Sequence, residues 1–362
     1  MSAFPSILQP AADENAYFVT ANGYRGFRSY YGDVYRSDEF TRIFVLKGGP
    51  GTGKSRLMRE VAASAAAGGA AVDYVYCSSD PASLDGVIMK KGEKRVAILD
   101  GTAPHLRCAD VPGAVDELVN LGEFWNPFEL VCERDEILRL SREKSAAFSL
   151  GYRYLSLAGN AMEAALAVAR TALDKEKLDA FLLRRLRKAT KTQHKERRIM
   201  TDGIGMRGHC HFKTMEKRAR TVISVGSRFG FDYLFFDAAR ELLRHTELDY
   251  TLVESPRDRA LFDGIYLEAD GVLLLSERLL PVDKPHVNPL RFFHPTIIKK
   301  AKGDLKYMLF YAEDAERHAI DAFKNAGEAH FALEEIYVKA MDFSKKEALT
   351  ALLSERISYL LS

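Results

Sequence analysis

The sequence predicts an α/β protein built twice over: two cores of mostly parallel strands flanked by helices, each followed by a helical hairpin, the second core a degenerate copy of the first. Three observations carry that expectation. A glycine-rich loop stands between a strand-like and a helix-like segment, the same stretch is echoed later in the chain, and a long amphipathic run follows each copy. At 362 residues the chain also exceeds the usual size of a single core. The expected boundaries are 1–125 for the first core, 126–200 for a helical hairpin with a basic linker, 201–285 for the second core and 286–362 for a C-terminal helical segment.

In the first core, Thr41 to Lys47 (TRIFVLK) is a short apolar run rich in branched and aromatic residues, which reads as a buried strand. It leads directly into GGPGTGKS, and SRLMREVAASAAA after it is a strong helix former ended by Gly68 and Gly69, where a left-handed cap is expected. Strand, loop and helix in that order are the context in which the Walker A pattern of a P-loop has meaning. Each residue type has its reason. Gly48, Gly49, Gly51 and Gly53 let backbone N–H groups curl around phosphate oxygens, Pro50 stiffens the loop, and Thr52 and Arg56 complete the binding segment. Lys54 brings a point charge to the outer phosphates and Ser55 a hydroxyl for magnesium, so the expected ligand is ATP with Mg2+.

Ala71 to Cys77 (AVDYVYC) reads as the next strand, followed by SSDPASLDG and a second apolar run, Val96 to Leu99, ending in Asp100. Four apolar residues before an aspartate have the Walker B form, so Asp100 is the expected second magnesium residue. Gly101 follows it, so the glutamate that activates water in many mechanical ATPases is missing at that place. Candidates for the role are Asp80, ranked first, His105, ranked second, and then Asp85 and Thr102; turn formation or helix capping is an equal reading for each.

The echo begins where RTVISVGSRFGFDYLFFDAARELL from Arg220 lies beneath RIFVLKGGPGTGKSRLMREVAASA from Arg42. It continues as DYTLVESPRDRALFDGIYL beneath DYVYCSSDPASLDGVIM and VLLLSE beneath VAILDG, and GMRGH from Gly205 repeats GYRGF from Gly23. In these pairings Asp232 answers Lys54, Tyr233 answers Ser55 and Ser276 answers Asp100, so the second site is expected to be dead. Asp85 persists as Asp263 and reads as a turn residue, while Asp80 falls opposite Pro256 or a gap, which ties it to the working site.

From Asn126 to about Met200, and again from Asp314 to Leu361, apolar residues recur every three to four positions. Between the halves, Arg184, Arg185, Arg187, Lys188, Lys191, Lys195, Arg197 and Arg198 face only Glu196 in sequence. A solvated helix face is favoured over a nucleic-acid site, because no aromatic residues interleave the run and the net charge is only +2. His209-Cys210-His211 point alternately in an extended segment and do not read as a zinc site. Cys77, Cys108, Cys132 and Cys210 form no CxxC pair, the N-terminal segment has no basic and apolar leader, and no window has the run of about 20 apolar residues that spans a membrane. The expected setting is the cytoplasm.

With GGPGTGKS, CSSDPASLDGVI, VAILDGTAPH and PGAVDELVNLGEFW, the chain resembles a bacterial ATPase family with tandem P-loop domains, most strongly over Asn22 to Trp125. The resemblance implies ATP binding through Gly48 to Ser55 and a magnesium carboxylate at Asp100. The second half of that family usually carries its own intact loop, and SRFGFDY at Ser227 to Tyr233 departs from it. Three functions are expected in order: a magnesium-dependent ATPase acting against an inactive second half, a small-molecule or nucleotide kinase using Ser78, Ser79 and Asp80 as an acceptor loop, and a slowly hydrolysing nucleotide-responsive binding protein with a protein partner.

Overall fold

The computed structural model describes residues 15–104, 107–280, 282 and 285–362. The first half runs through β1 (Asn15–Phe18), a hairpin of β2 (Thr20–Gly23) and β3 (Gly26–Ser29), a short α1 (Tyr31–Val34), β4 (Arg42–Lys47), α2 (Lys54–Ala67), β5 (Ala71–Tyr76), β6 (Leu84–Lys91), β7 (Lys94–Asp100), β8 (Asp116–Asn120), α3 (Pro127–Cys132), α4 (Arg134–Ala172) and α5 (Lys175–Leu186). The second repeats the order: β9 (Glu196–Ile199), a hairpin of β10 (Asp202–Gly205) and β11 (Gly208–His211), α6 (Thr214–Arg218), β12 (Thr221–Val225), α7 (Phe231–Leu243), β13 (Tyr250–Glu254), β14 (Phe262–Leu267), β15 (Val272–Ser276), α8 (Pro295–Lys339) and α9 (Phe343–Leu361).

The two sheets share one topology. The first is ordered β1-β5-β6-β7-β4-β8 and the second β9-β13-β14-β15-β12, with Val287 bridging Val225 where β8 would continue it. The expectation of mostly parallel sheets is corrected: β6 runs antiparallel to both β5 and β7, and β14 antiparallel to both β13 and β15, so both sheets are mixed. The reason is the short link. Between Lys91 and Lys94 there is room for a tight turn only, and a parallel crossover needs a dozen residues or more.

β4 is apolar from Ile43 to Leu46 because both its faces are covered there. Phe44 and Leu46 pack with Leu57, Met58 and Val61 of α2, whereas Ile43 and Val45 pack with Tyr31, Tyr35 and Phe40 on the other face. α2 ends as its glycines predict, with Gly69 left-handed at φ +86.

The helices do not form a hairpin on each half; they are exchanged. α4 and α8, 39 and 45 residues long and so roughly 60 and 70 Å, pack along each other, with Gly151 against the ring of Phe323. α4 carries the chain onto the second core, where Leu178 and Leu182 of α5 join Phe235 and Phe292. α8 returns it to the first core, where Leu353, Ile357 and Leu361 of α9 pack with Leu57 and Met58 of α2. Each half is completed by a helix that follows the long helix of the other. The amphipathic pattern marks these helices but not their partners, because one apolar stripe fits either core.

Among the described residues no helix is long and apolar enough to cross a membrane. The basic run is met by acids: Lys191 pairs with Glu247, Arg197 with Glu268, and Arg198 with Glu254 of β13 and with Glu196 of its own strand.

Candidate functional site

The glycine loop leaves β4 and turns into α2 through three left-handed residues, Gly48 (φ +145), Gly51 (+73) and Gly53 (+77), a conformation that side chains resist. Neighbours close in as well, since a Cβ on Gly49 would lie 3.0 Å from Trp125. Lys54 bends back over the loop, donating to Gly48 O at 2.7 Å and Gly49 O at 2.8 Å, and its Nζ lies 3.5 Å from Asp100 Oδ2. Asp100 reaches it because β7 is the parallel neighbour of β4, with Asp100 opposite Leu46. Thr102 steadies that carboxylate from its backbone N–H (2.9 Å) and its hydroxyl (2.6 Å). Ser55 Oγ accepts the Leu84 N–H at 3.0 Å, and Thr52 Oγ1 donates to Gly49 O at 3.0 Å. Arg56 turns its side chain outward to Glu60 of the same helix. Pro50 lies within the loop, and His105 lies outside the described residues.

Asp80 is brought near, but its role is recast. It is buried, accepts from Ala82 N and Ser83 Oγ, and pairs with Arg207 from the turn of the β10–β11 hairpin. In the second half Asp258 accepts from Ala260 N and pairs with Arg25 of the β2–β3 turn. The strand registers place Tyr76 beside Leu84 and Glu254 beside Phe262, so Asp80 corresponds to Asp258, not to Pro256 or a gap. Its salt bridge is therefore a reciprocal lock: each half's hairpin docks on the other half's loop. The backbone agrees, with Met206 N donating to Ser79 O and Tyr24 N to Arg257 O, both at 2.7 Å. The echo of GMRGH and GYRGF held the signal that could have found Arg207. Asp85 is buried in strand β6 rather than in a turn, and Tyr31 donates to its carbonyl.

Sequence reading also missed the cover of the loop. The end of α8 lies on it, so a Cβ on Gly51 would come within 2.8 Å of Glu334 O and 3.0 Å of Val338. The Glu334 carboxyl lies beside the Gly51 N–H, which favours its charged form, but burial, followed by the nearby Asp80, raises its pKa above the usual carboxylate range. One turn earlier, burial and then Lys144 of α4 push the His330 pKa down to about 4. The spacing of His330 and Glu334 on one helix face was visible, but nothing in it pointed to the loop.

The second loop is built differently. Gly53 stands seven positions after Leu46, whereas Gly230 stands five after Val225, so the loop is two residues shorter. The ungapped alignment is thereby corrected. Phe231, the first residue of α7, takes the place of Lys54 and stacks on Phe293, and Asp232 takes the place of Ser55. Ser276, at the Asp100 position, donates to Asp232 at 2.8 Å, Arg278 pairs with Asp232, and Glu277 accepts the Ser227 N–H at 2.9 Å. The bonds to Asp232 engage its Oδ2, while its buried Oδ1 has no hydrogen-bond partner among the described residues.

Among the described residues no group of three or more His, Cys, Asp or Glu is placed to hold a metal. His209 and His211 hydrogen-bond Asp202 and Glu216. Comparison with family models, with curated proteins and with solved structures gives no match.

Proposed function

We propose that Gly48 to Ser55 is the phosphate-binding loop of a magnesium-dependent ATPase with one working site per chain. The observation that carries the reading is Lys54 held between the loop carbonyls and Asp100, at the N-terminus of α2 and the end of the parallel strand beside it. That donor set suits a nucleoside triphosphate and Mg2+: backbone amides and Lys54 for the phosphates, the Ser55 hydroxyl and Asp100 for the cation, the latter through water. The metal would neutralise charge on the outer phosphates and set them in line for attack. The second loop has Phe231 at the lysine's place and a guanidinium beside Asp232, so it binds no triphosphate and serves as a structural counterpart. This reading keeps the resemblance to tandem P-loop ATPases but gives the second half a different task.

The kinase reading loses support, because the hairpin turn around Gly205 and Arg207 lies on the Ser78–Asp80 loop where an acceptor would bind. Phosphate release from ATP with and without magnesium tests the proposal. Activity should require magnesium and fall by at least about 100-fold in Asp100→Asn, within the range seen when charge stabilisation of a reacting group is lost. Full activity in that variant would refute the assignment.

A further inference from the structure

The internal duplication separates what belongs to the working loop from what belongs to the architecture. Gly327 of α8 packs on Met206 as Gly159 of α4 packs on Tyr24, and Met341 bridges Trp125 as Leu173 bridges Phe293. The same offset sets His330 against Met162 and Glu334 against Leu166. The second loop bears this out: a Cβ on Gly230 would meet Leu166 at 3.2 Å and Met162 at 3.6 Å. Two apolar side chains thus cover the loop that has lost its lysine, and a histidine and a carboxylate cover the loop that keeps it.

A half-buried carboxylate at a site built for anions is unfavourable unless it has a task. Glu334 is not there to neutralise Lys54, which Asp100 and the loop carbonyls already hold. The packing of α8 on Gly51 places the Glu334 carboxyl beside the loop amides that a bound triphosphate would use. Gly101 follows Asp100, so β7 itself offers no glutamate for the attacking water.

We propose that Glu334, delivered by the long helix of the second half, is the catalytic carboxylate of the first-half site. With nucleotide bound, it takes a proton from water. The water oxygen bonds to the terminal phosphorus as the bond from phosphorus to the bridging oxygen breaks, yielding ADP and phosphate, and the proton then passes to solvent. Because α8 is the element linking the second core to the loop, the arrangement also ties turnover to the packing of the two halves.

The inference rests on the ATPase reading, and the experiment keeps the two apart. Wild type and Lys54→Ala are first titrated with MgATP; absence of binding or turnover in the wild type overturns the ATPase reading and this one with it. Glu334→Gln and Glu334→Leu, the latter copying Leu166, are then measured for MgATP affinity and for phosphate release. The inference expects both variants to bind MgATP within about 3-fold of wild type, or more tightly, while turnover falls at least about 100-fold, as loss of a general base does. Turnover within about 3-fold of wild type overturns it. So does faster turnover in Glu334→Gln, which would make the carboxylate a plug that mimics phosphate, and so does weakened affinity with unchanged kcat, which would make it a binding group.

Discussion

Replacing Gly205 with alanine tests the reciprocal docking of the hairpins. The new Cβ would lie 2.3 Å from Ser78 O and 2.4 Å from Ser79 O. Both are backbone atoms in a loop pinned by Cys77 N to Ser83 O and Ser83 N to Asp80 O, so the loop cannot give way. The hairpin must lift by about 1 Å to restore ordinary contact, straining the Met206–Ser79 hydrogen bond and the Arg207–Asp80 pair. Overpacking of this kind costs about 1–3 kcal/mol and the lost hydrogen bond about 1, so the expected loss is about 3 kcal/mol. Gly23→Ala is the same change in the other half, with contacts of 2.7 and 2.8 Å, and should cost less. Gly303→Ala, in α8 with nothing within 4 Å, should instead stabilise by about 0.5–1 kcal/mol. Urea unfolding followed by Trp125, the one tryptophan and a neighbour of Gly49, reads all three. A Gly205→Ala protein within about 0.5 kcal/mol of wild type would refute the docking, since that is the scatter of neutral surface changes.

Two further outcomes follow from the same packing. Leu353→Ala removes a fully buried side chain of α9 from the first core and should cost about 2–5 kcal/mol, with hydrogen-exchange protection lost from α2 and β4 before α7 and β12; the reverse order would contradict the helix exchange. His330, with its pKa moved from 6.5 to about 4, is more readily protonated in the unfolded chain than in the folded one. Its contribution is therefore fully present above about pH 6.5 and is lost as pH falls towards 4, up to about 3 kcal/mol. His330→Met, copying Met162, should flatten the fall in urea midpoint between pH 7.5 and pH 5; an equally steep fall in the variant would remove His330 from that account.

Local signals in the sequence carried far. The strand, glycine loop and helix around Gly48 to Ser55 stand where the motif puts them, because apolar runs, left-handed glycines and helix formers act on their own neighbours. The duplication was legible too, and the five strands of the second sheet repeat the order of the first, which adds β8. What failed was register and partnership. An ungapped alignment cannot see two residues missing from a loop, so Asp232 was set against Lys54, and matching Asp73 with Asp249 set Asp80 against Pro256. Strand direction was missed because a buried antiparallel strand such as β6 is as apolar as a parallel one. The exchange of α5 and α9, the arrival of Arg207 and the cover by Glu334 all depend on long-range packing, which periodicity does not encode.

The central claim is one working nucleotide site in a chain whose second copy of the fold serves it. Calorimetric titration of MgATP into the intact protein tests it most directly. One equivalent should bind per chain, and Lys54→Ala should abolish it while leaving the unfolding transition in place. Two equivalents per chain, no binding, or undiminished binding in Lys54→Ala would contradict the account.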